Sequence, residues 1–477
     1  MTSDNSSTGT GTTRAESAEG VAPGSPPGSS PTAAPPAAGA APSAAPAAPP
    51  AAGGSTRRRS VLFRNRDFAL LWGGETVSLL GSEISVIALP SLAVIGFGEG
   101  ALGVGLLMAL QWIPFVLLAP VMGVLTDRLN RRMLMQVSNL ARFLILGSLP
   151  LAWVTGGLTI SHLYVAAVLK GIFDVVFQLA YQAYLPQLLP REDLVDGNAK
   201  TQLSRSVALI FGRSAGGGLV ALLGAARSIT ADAFSYLAAG IFLMFVRFRE
   251  PAQQAHTRGL KATLADLRGG VKMTFGNRLL RYLTLMATFG NTAVSMVLAM
   301  IIVFGYEDLD LSAGQVGLVL GVGGAPVVIG ALVSRRINEK LGIGRTLLLT
   351  HSMLVVAFAL MPLAQVGSTA FAVVVLMVAQ GIASFTTPVG NVGVMTLIQK
   401  ATPPQAMGRV GGVALPFVWG ANAAGPLLGS AVAVTVGNVG AFYLAAVLAL
   451  GAVLWVLVGS VTRLRDDVPE ELRVVVG

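Results

Sequence analysis

The chain has 477 residues, 53% of them hydrophobic and only 12% charged, with a formal net charge of +10 and no cysteine. A soluble protein of this length carries about twice that charged fraction, so lipid is the solvent for most of the chain. The absence of cysteine excludes disulfides, thiolate metal sites and cysteine nucleophiles. The widely separated His162, His256 and His351 argue against a metal centre, so neither metal nor cofactor is expected.

Residues 1–60 are mostly Ala, Pro, Gly, Ser and Thr, a composition that cannot bury enough apolar surface to fold. They are expected to form a disordered cytoplasmic tail, and they lack the basic start and apolar core of a secretory signal. From Asp67 onward, apolar blocks of about 20 residues recur. They are continuous rather than alternating, which selects helices over a closed barrel. The expected fold is an all-α polytopic membrane protein with twelve transmembrane helices in two six-helix halves. The spans are placed at 68–97, 102–126, 132–155, 161–186, 199–225 and 228–247, then at 279–305, 313–334, 345–366, 369–398, 408–436 and 438–461. Residues 61–247 make the first bundle, 248–278 a central cytoplasmic loop, 279–462 the second bundle and 463–477 a cytoplasmic tail.

Charge orients the spans. With the tail inside and loops assigned alternately, Arg227 alone of the 33 Lys and Arg falls in an outside loop. The longest outside loop carries Glu307, Asp308 and Asp310 instead. This asymmetry predicts a multi-pass protein of the cell membrane with both termini cytoplasmic. It also explains the positive charge without nucleic acid.

Between spans two and three lies Gly123-Val-Leu-Thr-Asp127-Arg128-Leu-Asn130-Arg131-Arg132. Gly123 permits close helix approach, Asp127 can accept hydrogen bonds at a helix end, and the arginines hold the loop inside. A degenerate copy, Gly330-Ala-Leu-Val-Ser334-Arg335-Arg336, follows span eight, as two duplicated transporter halves would leave. The first loop resembles the hallmark loop of the major facilitator superfamily. Two further blocks resemble its macrolide-efflux and siderophore-exporter branch. One is Arg64-Asn65-Arg66-Asp67-Phe68 with Ser78, Gly81, Ser82 and Pro90. The other is Tyr181-Gln182-Ala183-Tyr184-Leu185-Pro186 with Arg191-Glu192-Asp193-Leu194. The resemblance implies alternating access, proton exchange, and a gating role for Gly123, Asp127, Arg128, Arg131 and Arg132. The antiporter motif of helix five, Gly-Pro-x-x-Gly-Gly in that family, reads Gly212-Arg213-Ser-Ala-Gly216-Gly217 here. The glycine packing surface survives; the proline does not.

Ionisable residues inside spans are costly and are read as functional by default. All of them fall in the first half: Glu75, Glu83, Arg142, Lys170, Asp174, Arg205, Arg213 and Asp232. Helix rise places Glu83, Arg213 and Asp174 roughly 24, 21 and 18 Å from the inner surface. These three are the expected proton-coupling site. The expected ion pairs are Glu83 or Asp174 with Arg213, and Glu75 with Arg205 or Arg142. Asp232, at the start of span six, is expected to cap a helix near the outer surface. Gln111, Trp112, Tyr181, Gln182, Asn291, Gln380, Asn391, Trp419 and Asn422 are candidates for the substrate cavity.

The leading function is proton-coupled efflux of a small amphipathic or apolar compound. The alternatives are a siderophore exporter, an importer, or a scaffold or receptor on a degenerate transporter fold. No Gly-Lys dipeptide exists to serve an ATP-binding loop, and no catalytic grouping sits at motif spacing, so neither a pump nor an enzyme is expected. The expected partners are a small-molecule substrate, protons and the lipid bilayer, with the chain as a monomer.

Overall fold

A computed structural model of the chain describes residues 60–126, 129–248, 250, 260–403, 406–459, 462 and 469–474. In the first half, α1 (Val61–Arg64) leads into α2 (Arg66–Ser91), followed by α3 (Ala101–Thr126), α4 (Arg131–Val154), α5 (Ile160–Leu188), α6 (Leu194–Leu223) and α7 (Ala225–Met244). α8 (Leu260–Gly276) connects to the second half. There α9 (Arg278–Glu307), α10 (Ala313–Gly321), α11 (Gly324–Leu341), α12 (Ile343–Leu360), α13 (Thr369–Ala401), α14 (Met407–Val436) and α15 (Asn438–Val458) follow. Among the described residues no strand occurs, and eleven helices are long and apolar enough to cross a membrane. One of them joins α10 to α11 across a break at Val322 and Gly323. The sixth expected span, α7, is helical but falls outside the eleven, because Arg227, Asp232 and several hydroxyl residues lower its hydropathy.

Helix starts follow local rules. Asn65, Asn130 and Asn277 each accept a hydrogen bond from the backbone N–H three residues on. The Asn65 and Asn277 amides also donate to Leu188 and Leu472 carbonyls, a matching pair of anchors in the two halves. The stretch expected as a central loop instead contains α8. Its leucines at 260, 264 and 267 recur at helical spacing, and Phe275 packs against Phe417 of α14 with ring centroids 5.2 Å apart.

In the first half α2 packs on α6 and α7, α3 on α5, and α4 on α5 and α7. In the second, α9 packs on α14 and α15, and α13 on α11 and α12. The halves meet along two seams, α3 with α14 and α6 with α10. Packing here depends on close approach, since lipid supplies no hydrophobic drive between helices. A methyl group on Gly217 would lie 2.5 Å from the Gly317 Cα, so the α6–α10 seam requires glycine on both sides.

The cores show where the halves part. At the end carrying Glu307, one apolar cluster runs through both halves and includes Leu92, Val104, Phe304, Leu320 and Phe442. At the basic end the clusters are separate. Phe68, Phe177 and Tyr184 belong to the first half's cluster, and Leu280, Leu347 and Leu397 to the second's. The apolar core is continuous between the halves at the Glu307 end and separate in each half at the basic end.

Candidate functional site

Three groups of polar side chains lie inside the helices. The first joins α2 to α6, where Arg213 Nε donates to Glu83 Oε2 at 2.7 Å. Gly212 makes room for it, since a methyl there would sit 2.6 Å from the Glu83 Cβ. Gly216 packs on the α2 backbone at Ile84, and Gly217 turns to the other half. The glycine motif therefore serves two faces, one inside its bundle and one across the seam.

The second group lies among α4, α5 and α7. Asp174 accepts from Arg142 at 3.0 Å and from Lys170 at 2.7 Å, so both its oxygens are taken. The Arg142 guanidinium lies between the rings of Phe177 and Tyr236, 4.2 Å from each centroid, and also donates to Asn139 and the Ser138 carbonyl. Asp232 is fully buried eight residues into α7, whose cap is Gly224, and it accepts from Ser235 Oγ at 3.2 Å. It is therefore not the surface cap expected from sequence; α7 starts earlier than the predicted span and carries Asp232 inward.

Of the expected ion pairs, Glu83 with Arg213 forms. Asp174 does not join them, because Arg142 and Lys170 occupy its two oxygens. Arg142, offered as a partner for Glu75, is spent on Asp174. Glu75 is buried, and its Oε2 has no hydrogen-bond partner among the described residues. Arg205 is exposed on α6 and lines a cleft of about 640 Å³ with Tyr181 and Gln182 at the basic end. There Tyr181 Oη and Thr201 Oγ1 share a hydrogen bond of 3.1 Å.

The third group lines a cavity of about 490 Å³ among α9, α12, α13 and α14. Asn291 and Asn391 belong to it, with Thr350, His351 and Thr387 set among Leu283, Met286, Leu354, Val394, Ile398 and Val410. His351 is a lining residue that the sequence reading dismissed as scattered. The remaining cavity candidates lie elsewhere. Trp112, Phe115 and Trp419 form an aromatic chain across the α3–α14 seam, at centroid spacings of 5.2 and 5.4 Å. Gln111 donates to the Leu107 carbonyl of its own helix, Gln380 lies beside Gly323, and Asn422 is half-buried on α14.

Of the expected gating loop, Asp127 and Arg128 lie outside the described residues, and Gly123 falls in the last turn of α3. Arg131 and Arg132 open α4, and their backbone N–H groups donate to the two Glu250 carboxylate oxygens at 3.1 and 2.9 Å. An acid across a helix N-terminus is favoured by the helix dipole, a role for Glu250 that its place in the expected loop concealed. The Arg132 side chain reaches the Met244 carbonyl and that of Arg131 the Ala183 carbonyl, fastening α4 to α7 and α5. The two sequence blocks of the first half also meet, with Arg64 paired to Asp193 at 3.1 Å.

The sequence model described as Major Facilitator Superfamily matches residues 71–421. An uncharacterized MFS-type transporter of Bacillus subtilis, YfiS, is 26% identical over 44% of this chain and 50% of its own length. The chain thus spans about half the length of that relative. The class C tetracycline resistance protein of Escherichia coli is 23% identical over 77% of this chain and 90% of its own. The crystal structure of the nucleoside transporter NupG aligns with a TM-score of 0.67 at 12% identity, covering 83% of this chain and 98% of that one.

Proposed function

The chain belongs to the major facilitator superfamily and is a multi-pass membrane protein; from that premise we propose that it is a secondary active transporter exporting a small, largely apolar compound in exchange for protons. The observation that carries the reading is the Glu83–Arg213 pair, which joins α2 to α6 one turn from the Gly217–Gly317 contact between halves. A proton added to Glu83 removes the charge that holds Arg213. α6 is then free to shift against α2, and the seam it forms with α10 shifts with it. One helix thus links protonation to the contact between the halves.

The basic end is the cytoplasmic one by the positive-inside rule. A core divided at the basic end is then open toward the cytoplasm, the state in which an exporter takes up its substrate. The likeness to a tetracycline resistance protein supports efflux. The apolar lining of the second-half cavity supports a substrate without charge. Asp174 is proposed as a fixed clamp on Arg142 and Lys170 rather than a proton carrier.

Everted vesicles containing the protein test the reading with N-phenyl-1-naphthylamine as probe. An acid-inside gradient should drive accumulation above that of vesicles lacking the protein, and a protonophore should collapse it. Equal accumulation in both vesicle types overturns the proposal.

A further inference from the structure

His351 lies on α12 with 9% of its surface exposed, at the wall of the second-half cavity. Its Nδ1 stands 2.8 Å from the Leu347 carbonyl, which can only accept, so Nδ1 carries the proton. In the neutral ring Nε2 then presents a lone pair. That atom faces Gly290 of α9, where a methyl group would come within 3.3 Å of it. Gly290 also lines the cavity, so the missing side chain leaves open the space in front of Nε2. Asn291, Thr387 and Asn391 add further hydrogen-bonding groups; one N–H of the Asn291 amide goes to the Ala287 carbonyl, and its oxygen can accept. Among the described residues, no Asp, Glu, Lys or Arg lines the cavity.

We infer that this cavity is a binding site for a neutral molecule with an apolar body and a hydrogen-bond donor, with His351 Nε2 as the acceptor. The inference rests on the export reading only for the site's purpose; the binding chemistry stands by itself. Neither a cation nor an anion would meet a countercharge here, and an anion would also face the His351 lone pair. A neutral donor-bearing molecule satisfies the buried His351 Nε2, while the apolar wall, of a size usual for small-ligand pockets, takes the rest.

The test is fluorescence binding to the purified full chain with two probes of nearly equal size. N-phenyl-1-naphthylamine has one N–H, and N-methyl-N-phenyl-1-naphthylamine has none. The wild type should bind the first about fivefold more tightly, the value of one buried hydrogen bond. His351→Phe should bind both alike. Gly290→Val, which fills the space before Nε2, should weaken the N–H probe at least tenfold. If Gly290→Val fails to fold, Gly290→Ala, whose methyl group would come within 3.3 Å of Nε2, should weaken the N–H probe more than the N-methyl probe. Equal affinity of the wild type for the two probes overturns the inference, and so does unchanged preference in His351→Phe. Because binding is read without a gradient, a chain that discriminates the probes yet never accumulates them fails as an exporter and keeps this site.

Discussion

The two halves of the molecule share a packing scheme and differ in chemistry. In the first, Gly212 and Gly216 of α6 receive α2 at Glu83 and Ile84. In the second, Gly425 and Gly429 of α14 receive α9 at Ser295 and Met296. The α14 sequence Gly425-Pro426-x-x-Gly429 even keeps the proline that α6 has replaced by Arg213. Where Glu83 accepts from Arg213, Ser295 donates to the Thr292 and Ala421 carbonyls. The seams repeat the pattern, since Gly217 meets Gly317 while Gly105 meets Pro426 and Ser430. Close helix contacts demand small residues wherever they occur, and both halves have them. The side chains between are free to diverge, and here charge has gathered in one half while neutral polarity lines the other.

The largest effect should separate the halves by stability. Asp174→Ala strands Arg142 and Lys170 without a carboxylate and should cost about 3–5 kcal/mol. Loss of monodisperse protein or a lowered Tm in detergent would register it. Asn391→Ala, exposed on α13, should stay within about 0.5 kcal/mol. Equal sensitivity at both positions would break the comparison.

An intermediate effect tests the seam. Gly217→Leu overpacks against Gly317 and should destabilise the α6–α10 seam by about 1–3 kcal/mol. The chain has no cysteine, so a single Ser430→Cys reports the other seam by maleimide labelling. Faster labelling in the Gly217→Leu background shows the two seams opening together; an unchanged rate shows them to be independent.

The smallest effect concerns helix ends. Glu250 closes the N-terminus of α4, whereas α12 starts after Gly342 with no side-chain cap. Glu250→Gln should lower stability by about 1 kcal/mol through loss of charge at the helix dipole, readable as a small fall in Tm that high salt diminishes.

The spans and the charge asymmetry were legible because a bilayer imposes length and apolarity on every crossing. Depth was legible too: rise along the helix put Glu83 and Arg213 at similar heights, and they pair. Asp174 has a comparable height and a different partner. A helix that is apolar all round carries no periodic signal of which side faces which neighbour, so azimuth was lost where depth was kept. The same loss hid His351, whose value comes from facing the empty space at Gly290. α8 was hidden differently, since basic residues masked a short amphipathic period that the connection to α14 uses.

The division of labour itself is tested most directly by Glu83→Gln in proteoliposomes loaded with N-phenyl-1-naphthylamine. Proton-driven accumulation should be lost while gradient-free exchange of the probe continues at a rate near the wild type, because the second-half cavity is untouched. Accumulation that survives in a well-expressed Glu83→Gln protein would contradict the account, and so would loss of exchange together with accumulation.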